Sequence, residues 1–377
     1  MKGLLAPFTV LALAAPLAAQ VPAAAVGPAA PAVRSARALL VGCTEYPYLK
    51  EAGRVPGSNT IELLGPANDV ELFARALREV YGVPDAAMTR LAGWPADPKA
   101  RPTLQNIRQG FQRLAAQAQP GEWVVVYLAG HGSQQPSSSA SLDDEPDGLD
   151  EIFLPADVRP APDGAKVPNA LVDDEIFELV GAIRAKGADV WLVVDACHSG
   201  TLLRGGGVRT RGLPPSALGL RGAAPRPVAG ASAAPARPER TQGVAAFYGA
   251  QSFGAAPELE LPEGARDAQP HGLFTYLLAA EMRRVGASAT YGELIQRVIA
   301  AYQAFPCHLT IPMAQGDLDR AVGAGGRVAD PPILLALRGD EIRADRGLLA
   351  GIEVGTVLAA VADGAPLDAE PVLELEV

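Results

Sequence analysis

Cys197 lies in the run Asp195-Ala196-Cys197-His198-Ser199-Gly200, and His131 lies in Gly130-His131-Gly132. A cysteine and a histidine in polar, glycine-flanked settings are the parts of a nucleophile and its base. The thiolate attacks a carbonyl carbon, and an imidazole within hydrogen-bond reach generates the thiolate. His198 is the competing base, but as the immediate neighbour of Cys197 it points to the opposite face of an extended chain, which favours His131. The glycines let a substrate backbone approach closely and free main-chain N–H groups to hold an oxyanion. The N–H groups of Gly132 and Cys197 are the natural donors. Asp195 precedes Cys197 by two residues, so both side chains share a face. A carboxylate there opposes thiolate formation, so it suggests a cationic substrate group, arginine or lysine. The plainer readings are a packed structural thiol at Cys197 and a solvated acid at Asp195.

These residues need a scaffold that brings them together. Trp123 to Leu128 precedes the histidine run, Val190 to Val194 precedes the cysteine run, and a third apolar stretch covers Ala38 to Gly42. Unalternating, β-branched runs of this length read as strands buried on both faces. Helical patterns separate them. Val70, Phe73, Ala74 and Leu77 follow a cap expected at Asn68 with Glu71. Leu104, Ile107, Phe111 and Leu114 follow Thr103, and Ile176, Leu179, Val180 and Ile183 follow Asp173. Later, Gly243–Ala250 reads as a strand, and His271–Arg284 and Tyr291–Gln303 read as helices, the second capped by Thr290 with Glu293. The expectation is an α/β fold with a mostly parallel central sheet and helices on both faces. In such sheets chemistry sits beyond the carboxyl ends of the strands, where both reactive runs fall.

The 377 residues carry a net charge of −10 with no long basic stripe, which argues against a nucleic-acid partner. Lys2 followed by the apolar stretch Leu4 to Leu17 and small residues reads as a signal peptide over 1–20, hence export to the periplasm or medium. Residues 21–36 form an Ala/Pro-rich leader. A catalytic segment over 37–203 follows, then a Gly/Pro/Arg-rich stretch over 204–242 that reads as a flexible linker. A second segment over 243–327 completes the expected domain, and 328–377 is an extension with strands expected at Ile333–Leu337 and Val372–Val377. The three cysteines and four histidines show no zinc-ligand spacing. A Cys43–Cys307 disulfide is open, since pairing is not deducible from sequence.

The motifs taken together resemble the metacaspases and their bacterial relatives, the orthocaspases, caspase-like cysteine peptidases of family C14. Asp195 to Gly200 resembles the nucleophile motif and Tyr127 to Gly132 the histidine motif. Gly65 to Val70 is similar to an early Gly-x-x-Asn-Asp segment. Asp144 to Glu151 and Val172 to Glu175 resemble acidic stretches of the family. His271 to Thr275 resembles its small-subunit motif. The resemblance runs in order from about Ala38 to Val322. It implies the caspase–haemoglobinase fold, a Cys197–His131 dyad, and an endopeptidase acting on proteins or peptides. It also implies that Asp69 and Asp195 line an acidic S1 pocket for arginine or lysine. Ala129 and Pro66 stand where the family often has serine and cysteine.

The family resemblance further implies Ca²⁺ as an activator held by Asp150, Asp173 and Asp174, although Arg204 replaces a fourth aspartate. Arg204, Arg209, Arg211, Arg221 and Arg226 lie in the linker, where an enzyme of this specificity could cut itself. The rival readings are a non-catalytic caspase-like scaffold that binds partner proteins and the same fold cutting after aspartate.

Overall fold

A computed structural model describes residues 35–49, 61–137, 148–197, 209–221, 242–251, 254–305 and 310–323, together with four short strands beyond residue 334. The expected signal peptide, most of the leader and His198, Ser199, Gly200, Arg204, Arg226 and Cys307 lie outside them. Among the described residues no helix is long and apolar enough to cross a membrane.

The three apolar runs form the middle of a six-stranded sheet. They are β1 (Ala36–Gly42), β3 (Trp123–Ala129) and β7 (Asp189–Asp195), joined by β2 (Met88–Ala92), β9 (Val244–Tyr248) and β12 (Met313–Gly316) in the order β12-β9-β7-β3-β1-β2. All neighbours are parallel except β12, which runs antiparallel to β9. Period two divides each central strand between two cores. Leu39, Val41, Val124, Val126 and Leu128 face one cluster, while Leu40, Val125, Tyr127, Trp191 and Phe247 face the other.

Helices α2 (Leu104–Gln117) and α3 (Asp173–Arg184) supply Ile107, Phe111, Val180 and Ile183 to the first cluster. Helices α1 (Pro66–Tyr81), α4 (Leu273–Val285) and α5 (Tyr291–Ala304) supply Phe73, Leu77, Leu278 and Leu294 to the second. The expected mostly parallel sheet with helices on both faces is the observed architecture.

Side-chain capping follows the sequence signals at α2, where Thr103 accepts from the Asn106 N–H, and at α5, where Thr290 and Glu293 form a capping box. Three expected starts are corrected. The helix expected from His271 begins at Leu273, because Gln269–Gly272 is a strand paired to Glu258–Leu261. Helix α1 begins at Pro66 with Gly65 as its N-cap, because proline is preorganised for the first turn; Asn68 lies inside the helix and its amide donates to the Pro270 carbonyl at 3.0 Å. Helix α3 begins on Asp173 itself with Val172 as N-cap, so Asp173 is a first-turn acid instead of a cap.

Two smaller sheets sit at the carboxyl end of the main one. The first is β4 (Gly132–Pro136), β5 (Leu149–Phe153) and β6 (Leu171–Val172); the second is β8 (Arg209–Thr210), β10 (Pro257–Leu261) and β11 (Gln269–Gly272). In the extension, β13 (Leu335–Arg338) pairs with β14 (Glu341–Ala344), and β15 (Val357–Ala360) with β16 (Leu373–Glu376), both antiparallel.

Of the stretch 204–242, residues 209–221 and 242 are described. Within it, Arg211, Leu213, Leu218 and Leu220 are buried, and a short 3-10 helix spans Pro215–Leu218. The leucines are too few and too irregularly spaced to show a period, but each finds an apolar neighbour in the first core cluster.

Candidate active site

Gly42, Ala129 and Asp195 are aligned across β1, β3 and β7 at the carboxyl edge of the sheet. Each strand then releases its chain into the site: Cys43 from β1, Gly130-His131-Gly132 from β3, and Ala196-Cys197 from β7. The Gly130 N–H donates to the Asp195 carbonyl at 3.3 Å, extending the ladder past the strand ends. His131 and Cys197 therefore leave from neighbouring strands at the same height. Gly130 has no room for a side chain: a Cβ there would lie 2.8 Å from the Tyr46 hydroxyl and 3.0 Å from the Cys43 Cβ.

His131 is only 3 % exposed. Its Nε2 is 2.8 Å from the Ile61 carbonyl oxygen, and a carbonyl can only accept, so Nε2 carries the proton. Nδ1 is buried with no hydrogen-bond partner and is the basic nitrogen. Burial pushes the imidazole down to about 4, opposed by the Ile61 hydrogen bond and reinforced by Arg211. Burial pushes the fully enclosed Cys197 thiol up to about 12. Both shifts favour the neutral thiol and the neutral imidazole.

The main-chain oxygen of Arg211 accepts two hydrogen bonds, one from the Gly132 N–H at 3.0 Å and one from the Cys197 N–H at 3.0 Å. The Arg211 side chain is fully buried among three carboxylates. It is hydrogen-bonded and ion-paired to Asp69, lies 2.8 Å from Asp195 through Nη1, and lies 3.6 Å from Glu258 through Nη2. These acids hold the guanidinium well above its ordinary range despite burial.

Each acid is anchored by a different element. Asp69, in the first turn of α1, accepts from the Gly272 N–H at 3.0 Å and lies 2.8 Å from His271 Nδ1. Asp195, at the end of β7, accepts from the Thr275 hydroxyl at 2.5 Å, and Tyr127 donates in turn to that hydroxyl at 2.6 Å. Burial raises the Asp195 carboxyl, against the pull of Arg211. Glu258, on β10, accepts from the Leu64 and Gly65 N–H groups at 2.8 and 2.9 Å. Gly272 forms the wall beside them, where a Cβ would collide with Asp195 and Arg211.

The chain around Arg211 is extended and paired on both sides. Thr210 and Arg209 pair antiparallel with Pro257 and Glu258 of β10, and the Arg211 N–H donates to the Ala256 carbonyl at 2.9 Å. Beyond Arg211, Gly212 bridges Gly132 in parallel and the Leu213 N–H donates to the Gly132 carbonyl at 2.9 Å. Residues 209–213 thus lie across the ends of the strands as a bound peptide would.

The structure brings together Cys197, His131, Gly132, Asp69 and Asp195, all nominated by the sequence. It adds Glu258, Tyr46, Ile61, His271 and Thr275. His271 and Thr275 belong to a run already singled out, but Glu258 had no local signal. Of the linker arginines among the described residues (Arg209, Arg211 and Arg221), Arg211 occupies the pocket; Arg209 is at the rim, 4.0 Å from Glu258. Cys43 is a free buried thiol whose Sγ lies 3.8 Å from the Pro102 carbonyl.

The aspartates considered for Ca²⁺ lie elsewhere. Asp150 is buried on β5, with Asp173 and Asp174 in the first turn of α3. Burial, then Glu151 and Asp174, push the Asp173 carboxyl up to about 7. Among the described residues no group of three or more His, Cys, Asp or Glu is placed to hold a metal ion.

Residues 36–205 match the metacaspase, peptidase C14 domain. Among curated relatives, metacaspase-1A of Aspergillus oryzae is 31 % identical over 167 residues, covering 44 % of this chain and 35 % of the relative. Metacaspase-2 of Arabidopsis thaliana is 33 % identical over 142 residues, covering 38 % of this chain and 32 % of the relative. The alignments thus span about a third of those relatives' lengths. Among solved structures, caspase-1 of Spodoptera frugiperda superimposes with a TM-score of 0.45 at 10 % identity, covering 77 % of this chain and 89 % of that one.

Proposed function

We propose, from the match of residues 36–205 to the metacaspase, peptidase C14 domain, that the protein is a cysteine endopeptidase cutting after arginine or lysine, whose own Arg211–Gly212 bond is a substrate. One observation carries the reading: the Arg211 carbonyl oxygen is held by two main-chain N–H groups, one of them the nucleophile's own, while its side chain is held by acids. That is the posture of a residue about to be cut.

In the reaction, Cys197 Sγ forms a bond to the carbonyl carbon and its proton passes to His131 Nδ1. The carbonyl oxygen gains the charge, which the N–H groups of Gly132 and Cys197 stabilise. His131 then returns the proton to the leaving nitrogen as the peptide C–N bond breaks. Water, deprotonated by His131, hydrolyses the thioester and regenerates the thiol. Burial favours the neutral forms of both groups, so the proton transfer is taken to accompany attack. Asp69, Asp195 and Glu258 select the cation, and arginine's planar fork suits three acids arriving from different elements better than the single ammonium of lysine.

Substrates in trans are proteins or peptides with an accessible arginine or lysine, and residues 1–20 direct the chain to export. The test is to incubate the purified chain and follow fragments by mass spectrometry. The expected products end at Arg211 and begin at Gly212, and the Cys197→Ala chain stays whole. Cleavage at that bond in the Cys197→Ala chain would remove the mechanism.

A further inference from the structure

Resting on the peptidase reading, we infer that the cleft has a second specificity site on the far side of the cut, which takes an aliphatic residue two places after the arginine. In this chain that residue is Leu213.

The site is built on the free edge of β4. One side of β4 pairs with β5, from Gly132↔Phe153 to Pro136↔Leu149, and the other side receives residues 211–213. Gly132 bonds this segment twice, donating to the Arg211 carbonyl and accepting from the Leu213 N–H at 2.9 Å. Ser133, itself fully buried, donates its hydroxyl to the Leu213 carbonyl at 2.7 Å. Both polar main-chain groups of Leu213 are therefore satisfied by two consecutive residues, the first of which also serves the oxyanion.

The Leu213 side chain is only 2 % exposed and joins the apolar cluster containing Leu154, Val158 and Leu218. A charged side chain placed there would be buried without a partner in this cluster, whereas an aliphatic one is driven in by the hydrophobic effect. The acidic pocket reads the residue before the cut and β4 reads the second residue after it. The carboxyl-side half of a substrate is held as an added parallel strand, so peptides ending at the arginine engage only half the cleft.

The test uses the full-length wild-type chain and two quenched fluorescent peptides mixed in one tube, identical except for Leu or Asp two places after the arginine. Competition in one mixture makes the ratio of kcat/KM independent of how much enzyme is free. The expected ratio favours Leu by about tenfold or more. A ratio of one, with both peptides cut after arginine, overturns the second site and leaves the peptidase reading intact. Failure to cut either these peptides or an arginyl-aminocoumarin overturns the peptidase reading on which the proposal rests. In the intact chain, Leu213→Asp should slow appearance of the fragment starting at Gly212 by about tenfold or more, while Leu213→Ile should leave it within about threefold of wild type. Equal rates for Leu213→Asp and wild type would also overturn it.

Discussion

The Tyr46 hydroxyl accepts the main-chain N–H of His131 at 2.8 Å and donates to the Cys43 carbonyl at 3.2 Å, tying the loop after β3 to the loop after β1. The two rings lie 5.1 Å apart, and Tyr46 is fully buried. Tyr46 touches neither Cys197 nor Arg211 through this hydroxyl. It positions the segment that carries His131.

Tyr46→Phe keeps the ring and removes the bridge, leaving the His131 N–H buried and unpaired. The cost is about 1–3 kcal/mol. In a Cys197→Ala background the thermal midpoint should fall by several degrees. In the active chain, kcat for an arginyl substrate should fall more than KM changes, because the base is displaced while the acidic pocket is untouched.

Arg211 is the cation paired with Asp69, Asp195 and Glu258 inside the protein. Arg211→Ala in the Cys197→Ala background strands these acids, and removing one partner of a buried ionic group costs about 3–5 kcal/mol. Urea unfolding should show this loss, and Arg211→Lys should recover most of it. In the active chain, Arg211→Lys should still yield the fragment starting at Gly212, and Arg211→Ala should not.

Glu258 is the acid that the sequence did not nominate. Glu258→Gln keeps the shape and an acceptor for the Leu64 and Gly65 N–H groups but removes one charge from the pocket. KM for an arginyl-aminocoumarin should rise several-fold, with kcat little changed, since the oxyanion donors and the dyad are elsewhere.

His131 gives the fold a defined response to acid. Its folded value is pushed down to about 4 from an ordinary 6.5. Between those limits the unfolded chain binds a proton that the folded chain refuses. Stability therefore falls as the pH drops through 6.5, and the loss levels off below about 4, at about 3 kcal/mol in all. In the Cys197→Ala background, urea unfolding at pH 7.5 and pH 4.5 should show this component, and adding His131→Gln should remove it. An unchanged pH response in the double variant would assign the acid sensitivity to other groups.

The amino-acid sequence by itself pointed to the sheet and to Cys197 and His131 as the candidate pair. Runs such as Val124–Leu128 and Val190–Val194 can satisfy their backbones and bury both faces only as central strands, and the residues that follow them must then emerge at one edge. Thr103 and Thr290 marked helix starts because a hydroxyl three residues before an exposed N–H is a local arrangement. Asp195 was legible for the same reason, being two residues from Cys197.

What only the tertiary structure decided was long-range. Glu258 reaches the pocket from β10, His271 and Thr275 orient acids on α1 and β7, and Tyr46 holds a loop from another strand; no spacing along the chain encodes these meetings. Composition made 204–242 resemble a solvated linker, because glycine, proline and arginine are the residues of mobile chain. Burial reversed that meaning for residues 209–221. An arginine is costly inside a protein unless acids surround it, and Arg211 is inside because Asp69, Asp195 and Glu258 converge there from three separate elements.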